Sequence, residues 1–314
     1  MGTPDGIILS IKGNSLNDHE VSFFKKTNPF GFILFKRNFK NKVQLKRLID
    51  QLKSVTKNPN VLISVDQEGG RVQRFNNHEF NKYSPQKKFG DLYKYNKIKA
   101  NNFAYFSSYL LGSELSEVGI DINFSPVCDV RFKFANNVIG DRAFDSDPNI
   151  VKNLAKKFCL GFRDSGIIPV PKHFPGHGRS KEDTHKNISI VDINQKDLNN
   201  CDLVPFKILA KESLVMLAHI IYPKIDNKVA TYSKEIIFTL LRKKIKFKGL
   251  VLSDDISMKA LSGSFSEKIK YSYDGGCDII LYCSGKLKEM QNIYQHVKPI
   301  KKKYFNYFLE DSYR

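Results

Sequence analysis

Short apolar runs alternate with longer segments of helical period along this chain. The runs have the length of β-strands and lie at 6–11, 30–35, 61–66, 121–127, 168–173, 215–221, 249–253 and 278–282. Apolar residues recur at helical spacing in the segments between and after them, which are 41–55, 99–118, 150–164, 197–211, 233–244, 266–275 and 286–296. This alternation predicts parallel βα units.

The strand candidates are mostly continuous apolar runs, which is typical of parallel strands covered on both faces. Eight such strand candidates, alternating with helical segments over 314 residues, favour a (β/α)8 barrel over an open doubly wound sheet. No Pro/Gly/Ser-rich linker divides the chain. We therefore expect one catalytic domain over 1–314, in which 299–314 is a basic C-terminal tail.

The chain is strongly basic, with 51 Lys+Arg against 32 Asp+Glu and a formal net charge of +19. Such a balance raises the possibility of nucleic acid or an anionic membrane surface as a partner. The lysines are spread along the chain, however, and no recognised nucleic-acid-binding motif accompanies them. We expect neither partner.

The cysteines and the N-terminal residues indicate the cellular compartment in which the protein is expected. Five cysteines without a CxxC pair indicate neither a disulfide framework nor a zinc knuckle, and they fit a reducing compartment. The first residues have no basic and apolar signal-peptide pattern, and no apolar stretch reaches the roughly 18 residues of a membrane span. We expect a cytoplasmic monomer.

Polar residues follow several strand candidates at the end where barrel enzymes carry their active sites. They are Asp66, Asp129, His173, His219 and Asp254. His219 lies in an otherwise apolar run, where a lone histidine is more often a core residue than a ligand. A position at the barrel mouth would instead favour substrate contact.

Two loops carry arginines beside acids. The sequence DQEGGRVQRF at 66–75 combines Asp66 with Arg71 and Arg74 and could bind vicinal hydroxyls, or its Asp–Arg pair could simply hold the loop. The sequence GDRAF at 140–144 contains Arg142, which could donate several hydrogen bonds to a sugar or carboxylate. The alternative for Arg142 is a surface ion pair with a neighbouring aspartate.

The loop after the fifth strand candidate is the densest in chemistry. It reads KHFPGHGRSKEDTH at 172–185 and contains three histidines. Asp183 and His185 are two positions apart, so both side chains point to the same side of an extended loop. A carboxylate on one imidazole nitrogen fixes the tautomer and raises the pKa, which predicts a general acid/base pair. A solvated polar loop and a structural metal site are the alternatives.

Two adjacent carboxylates, Asp254 and Asp255, follow the seventh strand candidate. A carboxylate at the barrel mouth can attack an anomeric carbon and form a covalent glycosyl-enzyme. Asp is also a good helix N-cap, and one residue of the pair could do each job.

Four ordered motifs, DQEGGRV at 66–72, KHFPGHG at 172–178, DTH at 183–185 and SDDISM at 253–258, resemble glycoside hydrolase family 3. The closest branch is the short bacterial β-N-acetylglucosaminidases of peptidoglycan recycling. The resemblance covers roughly 6–296 and implies Asp254 as nucleophile, His185 as acid/base and Asp183 as its charge partner. The residues that it implies for gripping the terminal N-acetylglucosamine are Asp66, Arg74, Arg142, Lys172 and His173, with His219 as a further pocket residue.

The resemblance implies no metal and no organic cofactor, and a small carbohydrate as the substrate: N-acetylglucosamine β-linked to anhydro-muramic acid, with or without peptide. Many β-glucosidases of this family have a second domain that supplies a carboxylic acid, and because the barrel takes up most of these 314 residues, we expect no room for that domain here. The spacer RSKE at 179–182 is more charged than is usual in the branch.

Three other functions remain open from the residues. A neutral histidine repels phosphate less than a carboxylate does, so phosphorolysis could replace hydrolysis. A metal-dependent barrel hydrolase could use His173, His177, Asp183, His185 and His219 as ligands. A catalytically inactive sugar- or nucleic-acid-binding barrel is the third.

Overall fold

The computed structural model describes residues 2–184 and 187–312, and in it eight parallel strands form one sheet. The strand order is β5-β4-β3-β2-β1-β8-β7-β6. The strands are β1 (Asp5–Ser10), β2 (Pro29–Leu34), β3 (Leu62–Val65), β4 (Ile122–Asn123), β5 (Ile168–Pro169), β6 (Leu214–Met216), β7 (Leu250–Asp255) and β8 (Ile279–Leu281).

Backbone hydrogen bonds close this sheet between β5 and β6. The amide of Met216 donates to the carbonyl of Pro171 (3.1 Å), and the amide of Phe174 donates to the carbonyl of Met216 (2.8 Å). Phe174 and Leu217 form a further parallel bridge. The sheet is therefore a barrel, and the predicted (β/α)8 architecture is confirmed.

Helices surround the barrel. The α-helices are Asp18–Phe24, Lys42–Val55, Lys87–Tyr95, Lys97–Glu117, Pro148–Asp164, Gln195–Asn200, Phe265–Gly275, Leu287–Tyr294 and Lys302–Ser312. A π-helical segment spans Glu235–Lys244, and short 3-10 segments span Lys36–Asn38, Gly140–Arg142, Pro205–Lys211 and Ala230–Tyr232. In the described part of the chain, no helix combines the length and apolar character needed to cross a membrane.

Two small additional sheets, of two and three strands, lie beside the barrel. Gln67–Gly69 pairs with Val72–Gln73 directly after β3. Ile220–Tyr222 pairs with Asp226–Val229 and also, in parallel, with Ser189–Ile190.

Side chains of the barrel strands alternate between two cores because successive residues in a strand point to opposite faces. Ile7 and Leu9 of β1 belong to the large cluster between strands and helices. Ile8, between them, belongs to the interior cluster, which contains Met216 and Leu252 among others. The mouth of this packed barrel is consequently a rigid platform for loops.

Three sequence predictions need correction. The single helix predicted over 197–211 is divided into Gln195–Asn200 and Pro205–Lys211, because Pro205 lacks the amide that a continuous helix needs. The strand predicted over 215–221 is divided between β6 and Ile220–Tyr222, which belongs to a separate small sheet.

The third correction concerns the segment expected as a basic tail, 299–314. It contains the helix Lys302–Ser312, whose Phe308 is buried. The ring of Phe308 packs on that of Phe30 in β2, with centroids 5.3 Å apart. The many lysines around this segment obscured the apolar residues that pack it against the barrel.

Candidate active site

A cavity of about 370 Å³ opens at the carboxyl ends of the barrel strands. Residues that follow β2, β3, β4, β5 and β8 line it together with the end of β7. The predicted residues among its lining are Asp66, Arg74, Arg142, Lys172, His173 and Asp254.

The side chains on one wall form an unbroken series of alternating charges. Lys172 Nζ lies 2.7 Å from both Asp66 Oδ1 and Glu68 Oε1. Asp66 also accepts from Arg74 at 3.1 Å. Arg142 binds Glu68 through two hydrogen bonds of 2.9 and 2.8 Å. Three cations thus hold two carboxylates, and each carboxylate is shared.

Burial makes these charges depend on one another. The side chains of Lys172 and Glu68 are only 3% and 2% exposed. Burial by itself raises the pKa of Glu68, but the charges of Arg142 and Lys172 outweigh it and lower the pKa to about 2. For Asp66 too, burial is outweighed by Lys172 and Arg74, and its pKa falls well below the usual range. Both carboxylates are ionised at neutral pH.

Arg142 does not make the surface ion pair that was its alternative role, because its neighbour Asp141 instead pairs with Arg71 at 2.8 Å. Arg74 retains an unused donor: its buried Nε has no hydrogen-bond partner within the described residues. One donor of the cavity wall is therefore unsatisfied, which is uncommon for a buried polar atom.

A buried aspartate organises the histidines after β5. Asp129 accepts from His173 Nδ1 at 2.7 Å and from the backbone amide of His177 at 2.6 Å. A carboxylate at Nδ1 favours the tautomer protonated there. His173 is therefore held rigidly against the cavity, with Nε2 as the nitrogen left for a ligand.

His177 connects this rigid base to the loop that follows. Its Nε2 lies 3.0 Å from Thr184 Oγ1, and both residues line the cavity. Gly178 allows the connection because a Cβ there would meet the Val130 carbonyl oxygen at 1.7 Å. Burial, with His173 nearby, lowers the pKa of His177 to about 4, so this imidazole is neutral at physiological pH.

The predicted acid/base pair lies at the end of the same loop. Asp183 is half-buried, and its carbonyl accepts from the amide of Asn187 at 3.0 Å. His185 lies outside the described residues, so the Asp183–His185 pairing stays a prediction.

The adjacent carboxylates at the end of β7 have different surroundings. Asp255 accepts hydrogen bonds from the amide and hydroxyl of Ser257 and from the amide of Cys283, and burial raises its pKa. Asp254 lines the cavity, and its Oδ1 accepts from the amide of Asp255 at 2.8 Å. Both residues line the cavity, and because the Asp255 carboxylate holds the turn through these hydrogen bonds, Asp254 is the candidate nucleophile.

His219 lies beneath this turn. It is fully buried, with Nδ1 2.8 Å from Thr231 Oγ1 and Nε2 3.2 Å from the Asp255 carbonyl oxygen. Its ring is not part of the cavity lining. This environment is that of a satisfied core histidine that supports the Asp254–Asp255 turn.

Sequence reasoning assigned no role in sugar binding or hydrolysis to Glu68, Asp129 or His177, and it considered His177 only as a possible metal ligand. A signal for Glu68 was present, since Glu68 is two positions from Asp66 and residues so spaced in a strand share a side. Asp129 was recognised only as a residue that follows a strand. The partners of Asp129 and His177 depend on how two βα loops approach each other, which no local pattern reports.

A metal centre finds no support in the part of the chain that the structure describes, because no three His, Cys, Asp or Glu side chains are grouped there as ligands. His185, one of the ligands considered for a metal hydrolase, is outside that part.

Comparison with known proteins identifies the class. The Glycosyl hydrolase family 3 N terminal domain matches residues 7–305, and the chain belongs to this family. Beta-hexosaminidase of Xylella fastidiosa is 37% identical over 287 residues, which cover 90% of this chain and 84% of that protein. Beta-hexosaminidase of Thiobacillus denitrificans is 36% identical over 282 residues, with 88% and 78% covered.

Comparison with solved structures identifies the same class of protein. NagZ from Neisseria gonorrhoeae, crystallised in complex with N-trifluoroacetyl-D-glucosamine, superposes with a TM-score of 0.91 at 31% identity. The superposition covers 99% of this chain and 90% of that one. Within the family, this protein is a glycoside hydrolase of the β-N-acetylhexosaminidase type.

Proposed function

We propose that this enzyme is a retaining exo-β-N-acetylglucosaminidase that releases terminal N-acetylglucosamine from peptidoglycan fragments in the cytoplasm. The observation that carries the proposal is the position of Asp254. Its carboxylate lines the same small cavity as the buried series of ion pairs around Lys172. The candidate nucleophile and the charged side chains that would bind the sugar therefore line one cavity.

The reaction is a double displacement. Asp254 attacks the anomeric carbon, and the bond from that carbon to the leaving oxygen breaks as His185 supplies a proton to the oxygen. Water then attacks the anomeric carbon, its proton returns to His185, and the bond to Asp254 breaks. Asp183 holds the imidazole of His185 and stabilises its protonated form.

The substrate grip follows from the charges on the cavity wall. Asp66 accepts from sugar hydroxyls, while Arg74, Arg142, Lys172 and His173 supply donors or acceptors fixed by their own partners. Groups fixed beforehand lose little entropy when a sugar binds. Hydrogen bonds that strengthen as the ring flattens towards the transition state raise the rate.

The cavity supports action at a chain end. Its volume of about 370 Å³ is at the lower end of ligand sites and suits a single sugar ring. The complex of the Neisseria protein with N-trifluoroacetyl-D-glucosamine supports N-acetylglucosamine as that ring. Peptidoglycan fragments are anionic, and a chain with a net charge of +19 attracts them electrostatically.

The test measures release from an aryl β-N-acetylglucosaminide and from the matching aryl β-glucoside, with EDTA present. We expect turnover of the first only, with unchanged rates in EDTA. Asp254→Asn should abolish release, whereas the matched control Asp141→Asn, at an exposed aspartate, should retain it. Release that EDTA abolishes would support a metal hydrolase instead.

A second assay defines the natural reaction. N-acetylglucosaminyl-anhydro-muramic acid, with and without peptide, is incubated with and without inorganic phosphate, and the sugar products are identified by mass spectrometry. Free N-acetylglucosamine under both conditions indicates hydrolysis. A sugar 1-phosphate formed with phosphate would show phosphorolysis and contradict the use of water as acceptor.

A further inference from the structure

The helix Lys97–Glu117 is apolar on both of its faces. Its inner face packs on the fold through residues such as Ala104, Ser108 and Leu111, which are buried. Its outer face carries large apolar side chains in solvent. Their exposed fractions are 74% for Ile98, 60% for Phe103, 58% for Phe106, 37% for Tyr109 and 56% for Leu110.

Three of these side chains form a continuous stripe. Phe103, Phe106 and Leu110 follow one another at intervals of three and four residues, which places them on one side of a helix. Single exposed apolar residues are normal in a soluble protein, but a contiguous patch marks an interaction surface. The stripe is separate from the cavity, because none of its residues belongs to the cavity lining.

We propose that this surface binds a second copy of the chain, with the two helices antiparallel across a two-fold axis at the level of Ser108. Phe106 and Leu110 lie two positions before and after Ser108. At 3.6 residues per turn, both point away from the direction of the buried Ser108 side chain. In the antiparallel pair, Phe106 of one copy lies level with Leu110 of the other, so the two sets interdigitate.

Charges at the helix ends match the same axis. Lys99 and Glu117 lie nine positions before and after Ser108, which is two and a half turns, and both project on the side of the stripe. The antiparallel arrangement therefore places Lys99 of each copy opposite Glu117 of the other. A parallel arrangement would place like charges together, which disfavours it.

Both charged groups can make this contact. Lys99 has no ion pair among the described residues. Glu117 binds Lys42 at 2.8 Å, yet its side chain remains 62% exposed. Glu117 on this face also argues against an anionic membrane surface as the occupant, since such a surface repels a carboxylate at its contact.

The area sets the strength that we expect. Covering the three side chains of the stripe, with parts of Ile98 and Tyr109 beside them, would remove roughly 400 Å² from water in each copy and roughly 800 Å² in the dimer. This total is in the range of weak, transient interfaces. The enzyme should accordingly be in reversible equilibrium between monomer and dimer, whereas a monomer was expected from the sequence.

Sedimentation velocity of the full chain tests the proposal at concentrations from about 1 to about 200 µM, a range suited to an interface of this size. Wild type should shift towards dimer as concentration rises. Phe106→Asp should raise the dissociation constant at least tenfold. Phe134→Asp is the matched control, because Phe134 is also 58% exposed but lies in a loop after β4, and it should leave the equilibrium unchanged.

A charge exchange distinguishes the proposed register from general stickiness. Lys99→Glu alone should weaken the dimer by bringing carboxylates together, and Lys99→Glu combined with Glu117→Lys should restore it. Every variant should keep wild-type turnover of the aryl substrate, which shows that it is folded. A chain monomeric throughout the range, a dimer insensitive to Phe106→Asp, or a double variant without recovery would overturn the proposal.

Discussion

Glu68 offers a quantitative test of the ion-pair series in the cavity wall. Glu68→Gln preserves the shape of the side chain but removes the charge that holds Lys172 and Arg142. The pKa of Glu68 falls from 4.5 to about 2, and one pKa unit corresponds to about 1.4 kcal/mol, so the ionised group contributes about 3 kcal/mol at neutral pH. That value agrees with the roughly 3–5 kcal/mol lost when one partner of a buried ion pair is removed.

We therefore expect the free energy of unfolding of Glu68→Gln to be lower by about 3 kcal/mol at pH 7, which for this chain length lowers Tm by about 5 °C. Urea unfolding with an unchanged m-value measures it. Because the folded-state pKa is lowered, the stabilisation is complete above pH 4.5 and disappears as the pH falls towards 2. The difference between wild type and variant should shrink over the same window.

The matched control is Asp141→Asn. Arg71 and Asp141 are also 2.8 Å apart, but their side chains are 44% and 40% exposed. Exposed pairs contribute about 0–1 kcal/mol. If Glu68→Gln costs no more than Asp141→Asn, or if its cost does not change between pH 7 and pH 3, the buried series does not act as a coupled electrostatic unit.

The loop after β5 yields two further predictions. Thr184→Val removes the hydrogen bond to His177 at nearly constant side-chain volume. We expect kcat on the aryl substrate to fall about tenfold, the equivalent of roughly 1.4 kcal/mol. An unchanged kcat would mean that this hydrogen bond does not position the loop. Burial lowers the pKa of His177 from 6.5 to about 4. Between pH 6.5 and pH 4, His177 is therefore protonated in the unfolded chain but neutral in the folded chain. The free energy of unfolding should fall by about 3 kcal/mol as the pH decreases through this range. His177→Asn should lose this part of the pH dependence in urea unfolding, and a variant as pH-sensitive as wild type would contradict the assignment.

The barrel was predictable because its signals are local and repeated. A buried parallel strand reads as a short apolar run, and eight such runs separated by helical periods leave few alternative folds. Proline divided one predicted helix, and a few apolar residues among lysines concealed the helix Lys302–Ser312. Those outcomes depend on which surface a segment meets, which periodicity does not report.

The cavity-lining residues were only partly predictable. Asp66 directly follows β3, Lys172 lies three residues after β5, and Asp254 lies at the end of β7, so the barrel itself brings them to one mouth. Glu68 and Asp129 act through partners more than forty positions away in sequence, Arg142 and His173 respectively. No spacing rule predicts such contacts, since they depend on how the loops fold over the barrel. His219 illustrates the converse, because its place at the end of an apolar run suggested the pocket, whereas its ring is buried beneath it.

Trapping the covalent intermediate tests the central claim most directly. A fluorinated N-acetylglucosaminyl fluoride, which forms the glycosyl-enzyme quickly and hydrolyses it slowly, is mixed with the enzyme, and the intact mass and the labelled peptide are determined. We predict one sugar per chain, attached to Asp254 in the peptide around 250–258, and no label on Asp254→Asn. A label on another residue, or turnover of the probe to an inverted product without any labelled enzyme, would contradict a retaining mechanism through Asp254.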